Sequence, residues 1–369
     1  MSSKKLPAGV IRSDATLMDG RVIRYYDTKG QSRTAVDQRG AEEQPVIGEM
    51  RLDPLNNEWV VIADHRQGRV FLPPKESNPL APSRPGALTE IPESDYEVVV
   101  FDNRSPALAA PASGFRVIGH PDFSSPAIAS AGKCEVICFT SDYEASFKDL
   151  SHRQIRTVLE AWRDRTAELS KLLYIEYVAA FENRGEEVGV TLNHPHGQIY
   201  AYSYLPPRTE KMLEVARAHK DKTGNILLDD ILSRELSDKA RIVTENDEWV
   251  AYVPYAARYP FEIHLAPRRS VPDFLALDES TSDAFAPIAK EVLLRLDSVF
   301  GVRMPYIASW HQAPTRTGRD LLRLHWQIAS VRRAPGKLKY LAGSESAFGA
   351  FMMDLRPEQS AQQLRDVAL

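Results

Sequence analysis

The chain has 369 residues, enough for one large or two ordinary domains with an ample core. Its 43% hydrophobic and 26% charged residues are ordinary for a globular protein, and 46 basic against 50 acidic side chains leave a net charge of −4, which argues against a nucleic-acid binder. No run of about 18 apolar residues is present, so no membrane-spanning helix is expected, and Met1 to Pro7 carries lysines without an apolar stretch, so no signal peptide is expected.

Residues 1–45 are polar and read as an extended arm with one short hairpin about Asp19-Gly20, whose Val22–Tyr26 segment suits pairing with a sheet edge. Glu58–Ala63 reads as a buried strand. Six prolines between Pro73 and Pro92 make 72–94 a loop, and Tyr96–Phe101 reads as the next strand. The two cysteines, Cys134 and Cys138, share one face of a strand-like run about 13 Å apart, too far to bridge. Both read as reduced core cysteines of a cytoplasmic protein.

From there the chain repeats itself. A strand (Cys134–Thr140), a helix (Ser151–Leu173) and strands at Tyr177–Glu182 and His196–Tyr202 are echoed later. The second copy has Phe261–Ala266, Thr281–Phe300, Tyr306–Trp310 and Leu324–Ser330. Ile155, Val158, Leu159, Trp162 and Leu169 fall at helical spacing after a capping Ser151; Phe285, Ile288, Val292, Leu296 and Val299 do the same in the second helix. The endings match as well, His196-Gly197-Gln198-Ile199 against His325-Trp326-Gln327-Ile328. The pattern predicts an α+β fold built from a duplicated unit, each half an antiparallel sheet with helices packed on it. The predicted division is an arm at 1–45, a first unit at 46–205 carrying the reactive motif, and a second unit at 206–369.

The most informative stretch is Thr191-Leu192-Asn193-His194-Pro195-His196-Gly197-Gln198. An imidazole can attack phosphorus and form a covalent phosphoramidate, splitting a transfer into two steps. That requires one ring nitrogen held by a fixed acceptor so that the other carries the lone pair. Pro195 restricts the backbone between the two histidines and brings a carbonyl near His196. On a strand His194, His196 and Gln198 would share a face. Gln198 cannot donate a proton as an acid; it can only hydrogen-bond phosphate oxygens. Such a site suits a leaving group that departs unaided, as a sugar phosphate does. It favours transfer over hydrolysis, because water as acceptor wants a base. A buried polar cluster or a metal held by His194 and His196 is the alternative for an isolated His-x-His; the surrounding Asn193, Pro195, Gly197 and Gln198 favour the nucleophile.

The motif resembles the signature of the galactose-1-phosphate uridylyltransferase family, a branch of the histidine-triad superfamily. The likeness runs from about residue 10 to 365. It includes Asp64-His65-Arg66-Gln67-Gly68-Arg69, Val100-Phe101-Asp102-Asn103-Arg104, Phe181-Glu182-Asn183-Arg184-Gly185 and Lys337–Glu345. The resemblance implies two fused histidine-triad-like units and a ping-pong transfer of a uridylyl group from UDP-glucose to galactose 1-phosphate, or a related sugar 1-phosphate, through a covalent uridylyl-histidine. By position it implies His196 as nucleophile and Gln198 as phosphate-binding amide. Arg66 and Arg69 match arginines near the phosphates, Asn103 and Asn183 contacts to nucleotide and phosphate, and Gly189, Thr191 and His194 the surroundings of the α-phosphate. Lys339, Tyr340 and Glu345 match a segment that closes over the hexose in the partner subunit's site, which implies a homodimer.

Departures from the family pattern matter too. Where similar proteins hold a structural zinc, Asn78, Ala81 and Tyr143 stand in ligand positions and only His194 remains, so that zinc is expected to be absent. At a second, iron-type site the pattern reads His325 and Gln327 with His311 upstream; a weak metal there is the alternative to hydrogen-bonded structural histidines. Ser105 stands where a phenylalanine is common, near the expected base pocket, so an altered base or sugar preference is one reading. Other readings are an NDP-sugar phosphorylase or hydrolase, a uridylyltransferase for an unusual sugar 1-phosphate, and a non-catalytic nucleotide-binding protein. The intact His196 and Gln198 argue against the last.

Overall fold

The structure is a computed structural model, and it describes residues 2–40, 48–68, 72–110 and 127–369. Twelve strands form one antiparallel sheet. In chain order they are β1 (Ser2–Lys5), β2 (Ile11–Thr16), β3 (Val22–Asp27), β4 (Val98–Asp102), β5 (Gly132–Cys138), β6 (Tyr177–Arg184) and β7 (His196–Tyr202), then β8 (Ile242–Glu245), β9 (Trp249–Tyr252), β10 (Phe261–Pro267), β11 (Tyr306–His311) and β12 (His325–Ser330). Across the sheet they run β1-β2-β3-β4-β5-β7-β6-β11-β12-β10-β9-β8. The centre of that order is a palindrome. Reading outward from the β6–β11 pair, each half presents its second, third and first repeat strands, and then the strand that precedes the repeat. The two halves are therefore related by a local two-fold axis between β6 and β11, which pair Tyr306 with Arg184 and Ser309 with Phe181. This is the duplicated α+β architecture expected from the sequence.

Two helices, α1 (His152–Leu169) and α3 (Glu279–Ser298), cover one face of the sheet. Each starts where a side chain satisfies the first turn's orphan N–H groups: the Ser151 hydroxyl accepts from the Gln154 amide, and the Asp278 carboxylate from that of Thr281. The first helix ends at Leu169, with the last apolar residue of its spacing and four residues before the predicted boundary at Leu173. After Leu169 the chain tightens into three-residue turns, Lys171 N–H to Glu168 O and Leu172 N–H to Leu169 O, and reverses into β6. The core between helices and sheet is aromatic. Trp162 of α1 stacks on Phe147 at 6.0 Å and meets Trp310 of β11 at 5.7 Å, and Trp310 stacks on Trp326 at 5.7 Å. Arg165 clamps the fully buried Glu135 through two hydrogen bonds of 2.9 and 2.8 Å, so this charge enters the core paired.

Residues 2–27 lie against the sheet as its edge. The hairpin about Asp19-Gly20 joins β2 to β3, and β3 pairs with β4 (Ile23 opposite Phe101). The Glu58–Ile62 strand differs from its expected buried character. It belongs to a separate three-stranded sheet with Glu49–Asp53 and Ala127–Ala129, and Val60 is 48% exposed. Among the described residues one face of that small sheet is covered: Trp59, Val61 and Ala63 pack on Met50 and Leu108, and Glu58 and Val60 turn to solvent. Cys134 and Cys138 are buried and free.

Candidate active site

Strand β7 shows a strict period of two. Gly197, Ile199 and Ala201 point into the helix-side core, and His196, Gln198, Tyr200 and Tyr202 point to the other face. On that face lies a cavity of about 710 Å³, of the size that takes a nucleotide-sized ligand. His196 and Gln198 form part of its floor with Phe181 and Asn183 of β6; Gly189 and Thr191 of the loop entering β7 and Arg66 of a short turn after Ile62 form a wall. Asn103, following β4, lines the far end. Its Oδ1 accepts from the Ser105 amide at 2.9 Å, which leaves its Nδ2 donors as what it offers a ligand. Arg69 lies outside the described residues.

The nucleophile candidate is held by its own loop. His196 Nδ1 lies 2.7 Å from the carbonyl of His194. A carbonyl can only accept, so Nδ1 carries the proton and the neutral ring has its lone pair on Nε2. Pro195 sits between them and supplies no N–H of its own, but its carbonyl still accepts from Phe139 N at 3.2 Å, tying the loop to the neighbouring strand.

His194 itself is placed differently from the alternation expected on a strand, because β7 begins only at His196. Its ring is 1% exposed and faces a neighbouring cavity of about 620 Å³ beside Tyr143, Glu182 and Arg303. There Nε2 donates to Thr140 O at 2.8 Å and lies 3.2 Å from the Tyr96 hydroxyl. Burial lowers its pKa to about 4, so the ring is neutral near pH 7. Its contribution to the first cavity is its main-chain carbonyl.

The residues around His194 do not fit a zinc ion. Its Nδ1 is buried without a hydrogen-bond partner among the described residues, which suits a metal, but the company is wrong. Tyr143 presents a ring 6.1 Å away, the Asn78 Oδ1 accepts from the Leu80 amide, and Ala81 has no donor atom. In the second half His311 and His325 stack at 4.9 Å. His311 Nε2 is 3.0 Å from Gln327 Oε1, and His325 Nδ1 is 3.1 Å from Arg323 O. Burial first, then nearby Arg208, lowers the His311 pKa to about 3 and holds the ring neutral. Among the described residues no group of three or more His, Cys, Asp or Glu side chains could hold a metal ion. The His325 contact repeats that of His196, a ring Nδ1 on the carbonyl two residues back. The cavity does not recur, because Thr209 and Met212 of helix α2 (Pro207–Thr223) close over the two rings.

Lys339, Tyr340 and Glu345 do not line the cavity of their own chain. Lys339 Nζ donates to Glu345 at 2.7 Å and to Met352 O at 2.6 Å, closing a clip in a segment where Tyr340 is 75% exposed. Glu90 and Arg104 line the cavity and were not singled out from the sequence. Glu90 sits in the proline-rich loop, where no local pattern marks it; its partners come from three distant places in the chain.

Comparison with known proteins agrees with this geometry. Residues 40–206 match the family model for the galactose-1-phosphate uridyl transferase N-terminal domain, and residues 212–369 that for the C-terminal domain. A galactose-1-phosphate uridylyltransferase of Streptomyces lividans is 42% identical, over 97% of this chain and 98% of the relative. The Thermotoga maritima protein of the same name is 34% identical, over 86% and 98%. A solved uridylyltransferase structure superposes with a TM-score of 0.75 at 29% identity, covering 86% of this chain and 97% of its own. With both family models matched in order along the chain, it belongs to the galactose-1-phosphate uridylyltransferase family.

Proposed function

We propose that the chain transfers a uridylyl group from UDP-glucose to galactose 1-phosphate, or a related sugar 1-phosphate, through a covalent uridylyl-His196. The observation that carries this reading is the 2.7 Å contact from His196 Nδ1 to its own loop carbonyl, in a cavity that also holds Gln198, Arg66, Asn103 and Asn183. In the first step Nε2 bonds to the α-phosphorus and the bond from phosphorus to the bridging oxygen breaks. Glucose 1-phosphate leaves with the electron pair, without needing a proton. The phosphorylated ring is then cationic, and the His194 carbonyl on Nδ1–H stabilises that charge. In the second step a phosphate oxygen of the acceptor attacks the same phosphorus, the P–N bond breaks, and the ring returns to neutral. Arg66 offsets phosphate charge throughout, and Gln198 hydrogen-bonds the non-bridging oxygens; Arg69 is assigned the same role as Arg66. Gly189 and Thr191 border the α-phosphate.

The enzyme acts as a cytoplasmic homodimer of two fused units per chain, divided near residue 205. Supporting this are the two free buried cysteines and the C-terminal segment, which exposes Tyr340, Phe348 and Met352 away from its own cavity and suits closure over the hexose of a second copy through Lys339 and Glu345. The test is intact-protein mass after mixing with UDP-glucose alone. A uridylyl adduct on the wild type and none on His196→Gly is the expected result. UDP-glucose consumed without an adduct would point instead to a phosphorylase or hydrolase reaction. Intact UDP-glucose with no adduct refutes this donor.

A further inference from the structure

The phosphate end of the cavity is cationic, yet its far end holds a buried carboxylate. Glu90 lines the cavity and is only 6% exposed. Oε2 accepts from Arg21 Nη2 at 2.6 Å and Oε1 from Arg39 Nη1 at 2.6 Å, and Arg104 lies 3.8 Å away at the mouth. Both clamping arginines belong to the first 40 residues, nearly all ahead of the stretch that the N-terminal family model matches. They are themselves fixed. Arg21 donates to Asp19 at 2.7 Å and to the Asp102 carbonyl at 2.9 Å, next to cavity-lining Asn103. Arg39 grips Asp37 through two bonds of 2.9 and 2.8 Å. The N-terminal hairpin and its extension therefore hold one carboxylate in place against the cavity.

Resting on the uridylyl-transfer reading, we infer that Glu90 accepts hydrogen bonds from the ribose hydroxyls of the nucleotide and so sets the preference for a ribonucleotide. A carboxylate cannot face the diphosphate. It is equally ill-matched to the pairing edge of uracil, where one N–H lies between two carbonyl oxygens. The vicinal diol is the part of the substrate that offers two hydroxyl donors side by side, and each Glu90 oxygen keeps a lone pair beyond the one its arginine uses. The apolar side chains nearby, Leu80, Phe101, Val136 and Leu192, are left to wall the base.

The experiment compares UDP-glucose with 2′-deoxy-UDP-glucose as uridylyl donor, reading kcat/KM for adduct formation on the full chain and on Glu90→Gln. Hydrogen bonds to a charged group of this kind correspond to about a tenfold to hundredfold preference for the ribo donor in the wild type. In Glu90→Gln the ribo donor should fall by about that factor while the deoxy donor changes little, so the ratio approaches one. An equal fall for both donors, or no fall, overturns the assignment and leaves Glu90 as a clamp for the hairpin. No adduct on the wild type with either donor sinks the transfer reading and the assignment with it. Should Glu90→Gln fail to fold, the wild type still decides: calorimetric Kd values that are equal for UMP and 2′-deoxy-UMP overturn the inference.

Discussion

Replacing Gly197 by alanine tests how tightly the reactive strand is built into the core. The glycine is not needed for a left-handed backbone, since its φ is not positive. It is needed for space. A Cβ at 197 would lie 2.7 Å from the Phe181 carbonyl oxygen, 2.9 Å from Phe139 Cζ and 3.4 Å from Ile137 Cγ2. The carbonyl belongs to the adjacent strand and cannot turn away. The Phe139 ring is held edge-on by Phe147 at 5.2 Å and Trp162 at 6.2 Å, both buried. Overpacking of this kind costs about 1–3 kcal/mol. The loss of glycine's freedom in the unfolded chain returns about 0.4–1 kcal/mol. The net expectation is a destabilisation of about 1–2 kcal/mol. Because β7 must move away from the core, His196 and Gln198 move with it, so adduct formation should slow by a larger factor than stability alone implies. Urea unfolding at constant m gives the first quantity and single-turnover adduct formation the second. A variant with wild-type midpoint and a rate within about twofold would show that the contact is soft and refute the reasoning.

Two further outcomes follow from the surroundings of the same strand. Burial raises the Glu182 carboxyl from its ordinary 4.5 to about 7, although Arg184 and the Tyr306 hydroxyl at 2.9 Å pull it down. The folded chain therefore holds a proton there that the unfolded chain has lost. That contribution is full below about pH 4.5 and fades as pH rises through about 7. Glu182→Gln should lose less stability than the wild type between pH 5 and 7.5 by urea midpoint, and equal losses would sink the idea. Tyr96→Phe removes one contact to the His194 ring but leaves the 2.8 Å bond to Thr140 O. Stability should drop by about 1 kcal/mol with adduct formation within a few-fold; a hundredfold loss of rate in a fully stable protein would place Tyr96 in the chemistry instead.

What could be read from the sequence was what is written locally. Helical spacing from Ile155 to Leu169 and from Phe285 to Leu296 marks two helices over one core, and the alternation from His196 to Tyr202 marks the strand that carries the reactive ring. The loop Asn193–Gln198 holds in six residues both the imidazole and the carbonyl that orients it. The rest depends on partners far apart in the chain. Glu90 acquires its setting from Arg21, Arg39 and Arg104, and nothing in the proline-rich loop forecasts that. The demand for glycine at 197 comes from Phe139 and Phe181, neither adjacent to it. Glu58–Ile62 has the composition of a core strand, but among the described residues its small sheet is covered on one side, and composition does not say how many layers will be stacked.

The palindromic strand order has a consequence for how the molecule comes apart. At its midline β6 and β11 are bonded to each other, and the ring cluster beneath runs from Trp162 on one side to Phe274 and Trp310 on the other at 6.1 and 5.7 Å. Pulling the halves apart would open two naked strand edges, of the kind that seek new partners and aggregate, and would split one aromatic cluster into two wet surfaces. The seam that divides the sequence pattern is thus closed both by a strand pairing and by one shared aromatic cluster. The halves should melt together, and neither should survive as a fragment.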